Sequence, residues 1–228
     1  MNEQYLQVKN KVEVALRSSN REEDACTLIA VSKTKPVEML MEVYEAGCRH
    51  FGENKVQELM DKYDKMPSDV KWHMIGHLQT NKVKYIVDKV EMIHSVDTVK
   101  LAECISKEAM KKNIIVPILL EVNLAEEESK FGFLESEVLG AVEAISKLPG
   151  VKLSGLMTVP PFVEEGEENR VYFKKLTQIS VDILSKNMDN VCMDILSMGM
   201  TSDYEVAVSE GATFVRVGSA IFGNRIYN

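Results

Sequence analysis

Hydrophobic and polar positions follow two different spacings along this chain of 228 residues. Near the N-terminus, Tyr5, Val8 and Val12 recur at the spacing of one helix face. Short apolar runs follow, beginning with residues 27–32 (TLIAVS), and their length and flanking turn residues favour strands. Each of these runs precedes a helix-like segment. The pattern predicts one extra N-terminal helix and then eight strand–helix units.

The segment boundaries can be read from turn and capping residues, with Pro36 opening a helix, Gly47 ending it and Asp97 capping another. The predicted strands cover 27–32, 49–53, 72–76, 91–96, 114–123, 152–159, 191–199 and 213–219. The predicted helices cover 2–19, 36–46, 54–64, 79–89, 97–112, 135–148, 167–187 and 203–210, with a last helical turn near Ser219. The first helix would cover the bottom of the fold or join a partner chain.

Regular alternation of strands and helices implies parallel strand pairing with right-handed crossovers. Eight units that close on themselves form a (β/α)8 barrel, the TIM barrel, and we expect one such domain over residues 1–228. The alternative is an open doubly wound sheet. That fold favours a glycine-rich turn after the first strand, whereas AVSKTKP (30–36) contains no glycine.

Composition narrows the class of protein. The formal net charge is −8, which argues against a nucleic-acid-binding protein. The four cysteines are scattered singly, as in a reduced intracellular protein, and no apolar run approaches the length of a membrane span. The polar N-terminus does not resemble a signal peptide. We therefore expect a cytoplasmic protein that binds neither nucleic acid nor membrane.

A metal site is the first chemistry to consider. His73 and His77 are four residues apart, but WHMIGH (72–77) is typical of a strand followed by a turn. Two histidines at this spacing share a metal only when they lie on a helix. We expect no metal site.

The barrel directs attention to residues after the strands, because active sites of this fold lie at the C-terminal strand ends. Lys33 follows the first strand directly. After the last two strands, Thr201 and the Gly218–Ser219 turn offer hydroxyl and N–H groups, and loops at these positions commonly bind phosphate. Helix capping alone would explain Ser202, which has the capping-box spacing with Glu205.

Arg216 is unusual because it lies within the apolar strand TFVRVG (213–218) and should face inward with Phe214. A buried guanidinium is costly unless it is paired, so it either forms an internal salt bridge or donates to a ligand. The sequence leaves both readings open. A phosphate site, an inward arginine and a rim lysine together suggest a phosphorylated carbonyl compound held by Lys33 as a Schiff base.

Seven segments carry a more specific signal: AVSKTKP, HFGENKVQE, WHMIGHLQTNK, VNLAEEESKFGF, GLMTVPP, LSMGMTSD and VRVGSAIFGNR. In order and over nearly the whole chain, they resemble the pyridoxal phosphate homeostasis protein family, whose fold is similar to the barrel domain of alanine racemase. The resemblance implies that Lys33 holds pyridoxal 5′-phosphate (PLP) as a Schiff base and that Arg216 donates to the pyridine nitrogen. It places the phosphate on Thr201, where we expect the family to have serine, and on the backbone of Gly218 and Ser219. It also implies that Ser197, Asn54 and His77 line the site.

The resemblance implies that racemases of this fold take a second base from a tyrosine in a β-rich domain. The sequence ends five residues after Gly223, so we expect that domain to be absent, and Tyr204 near a strand end begins a helix. We therefore expect a non-catalytic PLP carrier or regulator in intracellular vitamin B6 homeostasis, a monomer or weak homodimer that could serve PLP-dependent apo-enzymes. The alternatives are a weak PLP-dependent amino-acid racemase and a class I aldolase-like barrel.

Overall fold

A computed structural model describes residues 1–127 and 129–223 of the chain. Its eight strands are parallel and form a closed barrel in sequence order. The strands are β1 (Thr27–Val31), β2 (His50–Glu53), β3 (Lys71–Met74), β4 (Met92–Val96), β5 (Val116–Glu121), β6 (Val151–Met157), β7 (Val191–Ser197) and β8 (Phe214–Val217). Strand β1 pairs with β8 from Thr27↔Phe214 to Ala30↔Val217. This closure confirms the barrel and rules out the open doubly wound sheet.

The helices lie between the strands in the chain, after one extra helix at the N-terminus. They are α1 (Asn2–Ser18), α2 (Val37–Glu45), α3 (Val56–Tyr63), α4 (Val83–Ile86), α5 (Val99–Lys111), α6 (Glu135–Ile145), α7 (Arg170–Leu184), α8 (Tyr204–Ser209) and α9 (Ser219–Phe222). Helix α1 buries its apolar face and packs against α2, α8 and α9. No helix in the described part of the chain is long and apolar enough to cross a membrane.

Three local predictions were wrong. The helix predicted over 79–89 is a 3-10 turn (Thr80–Lys82) followed by the single turn α4. The cap of α5 is Thr98, whose Oγ1 accepts a hydrogen bond from the Leu101 N–H at 3.2 Å, because Asp97 is engaged elsewhere. The residue before α8 is Asp203 rather than Ser202, and its carboxylate accepts a hydrogen bond from the Met200 N–H.

The core has two layers separated by the barrel wall. Outside the wall, apolar strand residues such as Phe51 and Trp72 pack against the helices. Inside it, Met92, Leu119 and Met157 form a separate apolar cluster. Polar side chains share this interior, so the barrel axis is not purely hydrophobic.

Candidate cofactor site

A cavity of about 590 Å³ opens at the C-terminal ends of the strands, within the usual size range of small-molecule sites. Among the described residues, its charged lining groups are all cationic and belong to Lys33, Lys35 and Arg216. The neutral lining residues are Val31, Asn54, Ile75, Val159, Phe162, Met200, Thr201, Ser202, Gly218, Ser219 and Gly223. The cavity is therefore suited to an anionic ligand with an apolar body.

Lys33 stands at a sharp turn of the backbone, one residue (Ser32) beyond the end of β1. The next residue, Thr34, has φ of 63°, a left-handed conformation that is rare for a β-branched residue. Its N–H donates to Glu58 Oε2 at 2.6 Å, which holds the turn in place. Lys35, two residues on, donates to the carbonyl oxygens of Phe222 and Gly223 at 3.0 and 3.1 Å. Both lysines line the same cavity.

A buried ion pair supports the end of β1 from outside the barrel wall. Lys62 donates to Glu53 Oε1 at 2.7 Å and to the Ser32 carbonyl oxygen at 2.9 Å. The Ser32 hydroxyl donates to the same Glu53 oxygen at 2.6 Å. Burial raises the pKa of Glu53, and the hydrogen bond from Lys62 opposes that rise. This ion pair holds Ser32, the residue that precedes Lys33, in place. No sequence motif predicts the ion pair.

Arg216 is only 4% exposed and lies on β8 with its guanidinium at the cavity. It donates to Ser197 Oγ at 2.6 Å and to the Thr158 carbonyl oxygen at 2.8 Å. Burial lowers its pKa to about 10, while the carboxylates of Glu121 and Asp203 act in the opposite direction. Within the described residues it forms no direct ion pair with a carboxylate, so the internal salt bridge considered from the sequence is not observed.

The turns after β7 and β8 meet at one side of the cavity. The Ser219 hydroxyl donates to Thr201 Oγ1 at 3.1 Å, which brings the two predicted phosphate-binding turns together. Gly218 lies against β1, where an added Cβ would approach Val31 to 3.3 Å. The first N–H groups of any helix lack partners within the helix, so the start of α9 adds donors beside these hydroxyls. Together these groups can bind an anion.

The remaining predicted residues occupy different positions. Asn54 lines the cavity, and its buried Oδ1 has no hydrogen-bond partner among the described residues. Ser197 lies fully buried behind Arg216 and holds it without lining the cavity. His77 is also outside the lining: its ring stacks on Phe131 at 3.9 Å between centroids, and its Nδ1 lies 2.7 Å from Asp97 Oδ2.

Comparison with known proteins identifies the class of protein that has this barrel and this cavity at the C-terminal ends of its strands. The alanine racemase N-terminal domain family matches residues 8–225. Alanine racemase of Clostridium difficile 630 shares the fold at a TM-score of 0.72 and 14% identity, over 96% of this chain and 61% of that chain. The chain is thus an alanine-racemase-type barrel.

Two closer relatives define the particular family. A pyridoxal phosphate homeostasis protein of Aquifex aeolicus is 44% identical over 99% of this chain and 98% of its own length. PipY of Synechococcus elongatus, solved with PLP bound, has a TM-score of 0.81 and 34% identity, covering 93% of this chain and 100% of that chain. The chain belongs to the pyridoxal phosphate homeostasis protein family, as the seven segments predicted.

Proposed function

We propose that this chain binds PLP in the cavity at the C-terminal end of the barrel and acts in PLP homeostasis without robust catalysis. The observation that carries the proposal is the convergence of Lys33, Arg216 and the Thr201–Ser219 hydroxyl pair on one cavity. An amine, a buried cationic donor and an anion-binding turn match the aldehyde, the pyridine ring and the phosphate of PLP. The PLP-bound structure of the relative PipY supports the same ligand.

Each group has a separate role in this proposal. Lys33 supplies the amine that forms a Schiff base with the cofactor, as its place after β1 and the family resemblance both suggest. Thr201 and the Gly218–Ser219 turn hold the phosphate through hydroxyl and N–H donors. Asn54, whose buried Oδ1 has no partner in the described part of the chain, offers an acceptor to a ligand hydroxyl.

Arg216 is proposed to donate to the pyridine nitrogen. With a pKa of about 10, the guanidinium keeps its proton at neutral pH, so it can donate a hydrogen bond but does not readily protonate the ring. Bound PLP supplies an electron sink, and that sink is weaker when the ring nitrogen is unprotonated. The arginine therefore favours a site that holds the cofactor with little side chemistry, although the family resemblance implies that racemases of this fold use the same kind of residue.

The proposal of a non-catalytic carrier rests mainly on the lack of a second base at the cavity. Besides Lys33, the only titratable lining groups in the described residues are Lys35 and Arg216. Lys35 donates to two backbone carbonyl oxygens, those of Phe222 and Gly223. Tyr204 is buried and does not line the cavity, and burial raises its pKa to about 12.

The alternative function is a weak PLP-dependent amino-acid racemase. The observation that favours it is Lys35, a second amine that lines the same cavity. Purified protein should bind PLP and become yellow, and Lys33→Ala should lose that absorbance while Lys35→Ala, the matched control, retains it. A wild type that retains no yellow colour after unbound PLP, which is itself yellow, has been removed by gel filtration would refute the proposed ligand and favour the aldolase-like reading.

Chiral analysis of alanine and serine incubated with the loaded protein then separates carrier from racemase. We expect no sustained change in enantiomer ratio. Racemisation by wild type that is lost in Lys33→Ala would refute the non-catalytic reading.

A further inference from the structure

Three histidines cross the barrel interior in one hydrogen-bonded row that ends at Arg216. His50 Nδ1 lies 2.9 Å from His73 Nε2, and His73 Nδ1 lies 2.9 Å from His94 Nε2. His94 Nδ1 lies 2.8 Å from the Ser197 hydroxyl, which accepts from Arg216. We call His50, His73 and His94 the histidine chain. It connects the start of β2 to the guanidinium at the cofactor cavity.

Arginine can only donate, and this leaves the single proton of Ser197 to set the direction of the other bonds in the row. Ser197 Oγ must accept from Arg216, so its single proton is left for His94 Nδ1, its other partner among the described residues. A neutral His94 that accepts at Nδ1 carries its proton on Nε2 and donates to His73 Nδ1. The same step repeats between His73 and His50.

Burial favours the neutral form of all three rings of the histidine chain, which the assignment of tautomers requires. His73 and His94 are fully buried, and burial lowers the pKa of each ring well below its usual value. Burial also lowers the pKa of the half-buried His50, with Lys71 acting in the same sense and Glu91 against it. Neutral imidazoles have one donor and one acceptor each, so three of them can form one continuous directed row.

The ring geometry fits direct hydrogen bonds between the histidines rather than a shared metal ion. Two imidazole nitrogens bound to one tetrahedral zinc at about 2.0–2.1 Å lie roughly 3.3 Å apart, whereas the ring nitrogens here are 2.9 Å apart. No metal-binding group of three or more His, Cys, Asp or Glu is found in the described part of the chain. Phe214 packs against all three rings with centroid separations of 5.4–6.2 Å, which restricts their rotation.

We infer that His50, His73 and His94, all with the proton on Nε2, are positioning residues that act through Ser197 to orient Arg216 in the cofactor cavity. The reverse order of donors would leave Ser197 Oγ accepting from both His94 and Arg216, with no acceptor for its own proton among the described residues. When Ser197 donates its proton to His94 Nδ1, its oxygen accepts from Arg216 alone. The contact of Arg216 with the pyridine ring rests on the proposed function, whereas the tautomers do not.

The first test uses the wild-type chain without added PLP. Nitrogen-15 NMR of protein labelled at histidine distinguishes the two neutral tautomers of each ring. We expect His50, His73 and His94 to be protonated on Nε2. A proton on Nδ1 of His73 or His94 would overturn the inference, whether or not the protein binds PLP.

The second test measures binding of PLP and unphosphorylated pyridoxal to variants of His94. His94→Leu removes the acceptor for Ser197, and we expect both ligands to bind about two- to tenfold more weakly, the equivalent of one ordinary hydrogen bond. The affinities for PLP and pyridoxal should fall equally, because both ligands contain the pyridine ring. His94→Asn retains a polar atom near the Nδ1 position and should recover most of the affinity, which a purely structural role would not predict.

The outcomes of the two tests separate the inference from the proposed function. If wild type fails to bind PLP, the proposed function fails, and the NMR result alone decides the tautomers. If wild type binds PLP and folded His94→Leu binds it with unchanged affinity, the positioning role is refuted. If His94→Leu does not fold, His94→Asn and the wild-type tautomers decide, and an Nδ1 proton on His94 contradicts the inference.

Discussion

Glu121 at the end of β5 should make the stability of this protein decrease as pH rises. Burial raises the pKa of its carboxyl group from 4.5 to about 7, and the attraction of Arg216 only partly opposes this effect. Between pH 4.5 and about pH 7, Glu121 keeps its proton in the folded state but has released it in the unfolded chain. The folded state then binds more protons, so the free energy of unfolding falls as pH increases.

The size of this effect follows from the two pKa values. One pKa unit corresponds to about 1.4 kcal/mol, and most of the shift falls between pH 5 and pH 8, so wild type should lose about 2 to 3 kcal/mol in that interval from this group. Glu121→Gln has no titrating group at this position and should lack that loss. Any constant cost of the buried amide is the same at both pH values and cancels from the comparison.

Urea unfolding at pH 5 and pH 8, without PLP, measures the difference directly. The free energy of unfolding of Glu121→Gln relative to wild type should rise by about 2 to 3 kcal/mol from pH 5 to pH 8. Glu143→Gln, on the exposed side of α6, is the matched control and should follow wild type. Parallel pH profiles for Glu121→Gln and wild type would refute the reasoning.

Three further predictions concern other parts of the site. Thr201→Ala should weaken the binding of PLP by roughly 10- to 150-fold and that of pyridoxal much less, because a hydrogen bond to a charged phosphate is lost. An equal loss of affinity for both ligands in a binding titration would exclude the contact. Thr34→Asn should stabilise the fold by about 1 kcal/mol in urea unfolding, since asparagine tolerates the left-handed conformation better; no gain would argue against strain there. Lys62→Met should cost about 3 to 5 kcal/mol by leaving Glu53 buried without its partner, and adding Glu53→Gln should restore much of it; an unchanged unfolding midpoint in the single variant would contradict this role.

The strand–helix order could be predicted from the sequence because most residues of the barrel strands are buried and turn residues bound the strands. The predicted strand over 27–32, for example, is one residue longer than β1. The helix predicted over 79–89 was wrong in extent because Val83 and Ile86 have helical spacing, yet only one helical turn forms between them. Periodicity located this element but could not determine how far its hydrogen bonds continue.

The site could be predicted only where its residues lie in continuous segments. Lys33, Thr201 and Gly218 follow strand ends, and the barrel brings such ends to one rim. The histidine chain has no linear motif, because its members lie singly on three strands and meet only through the pairing of those strands. The one signal available was that polar residues occupy inward positions of otherwise apolar strands.

The central claim is that Lys33 is the residue that forms the Schiff base with PLP. Borohydride reduction of the wild-type protein incubated with PLP, followed by digestion and mass spectrometry, locates the bound cofactor on one peptide. We expect the reduced adduct on Lys33 in the wild type and none at that position in Lys33→Ala. An adduct on Lys35 or Lys130 instead, with Lys33 unmodified, would contradict it.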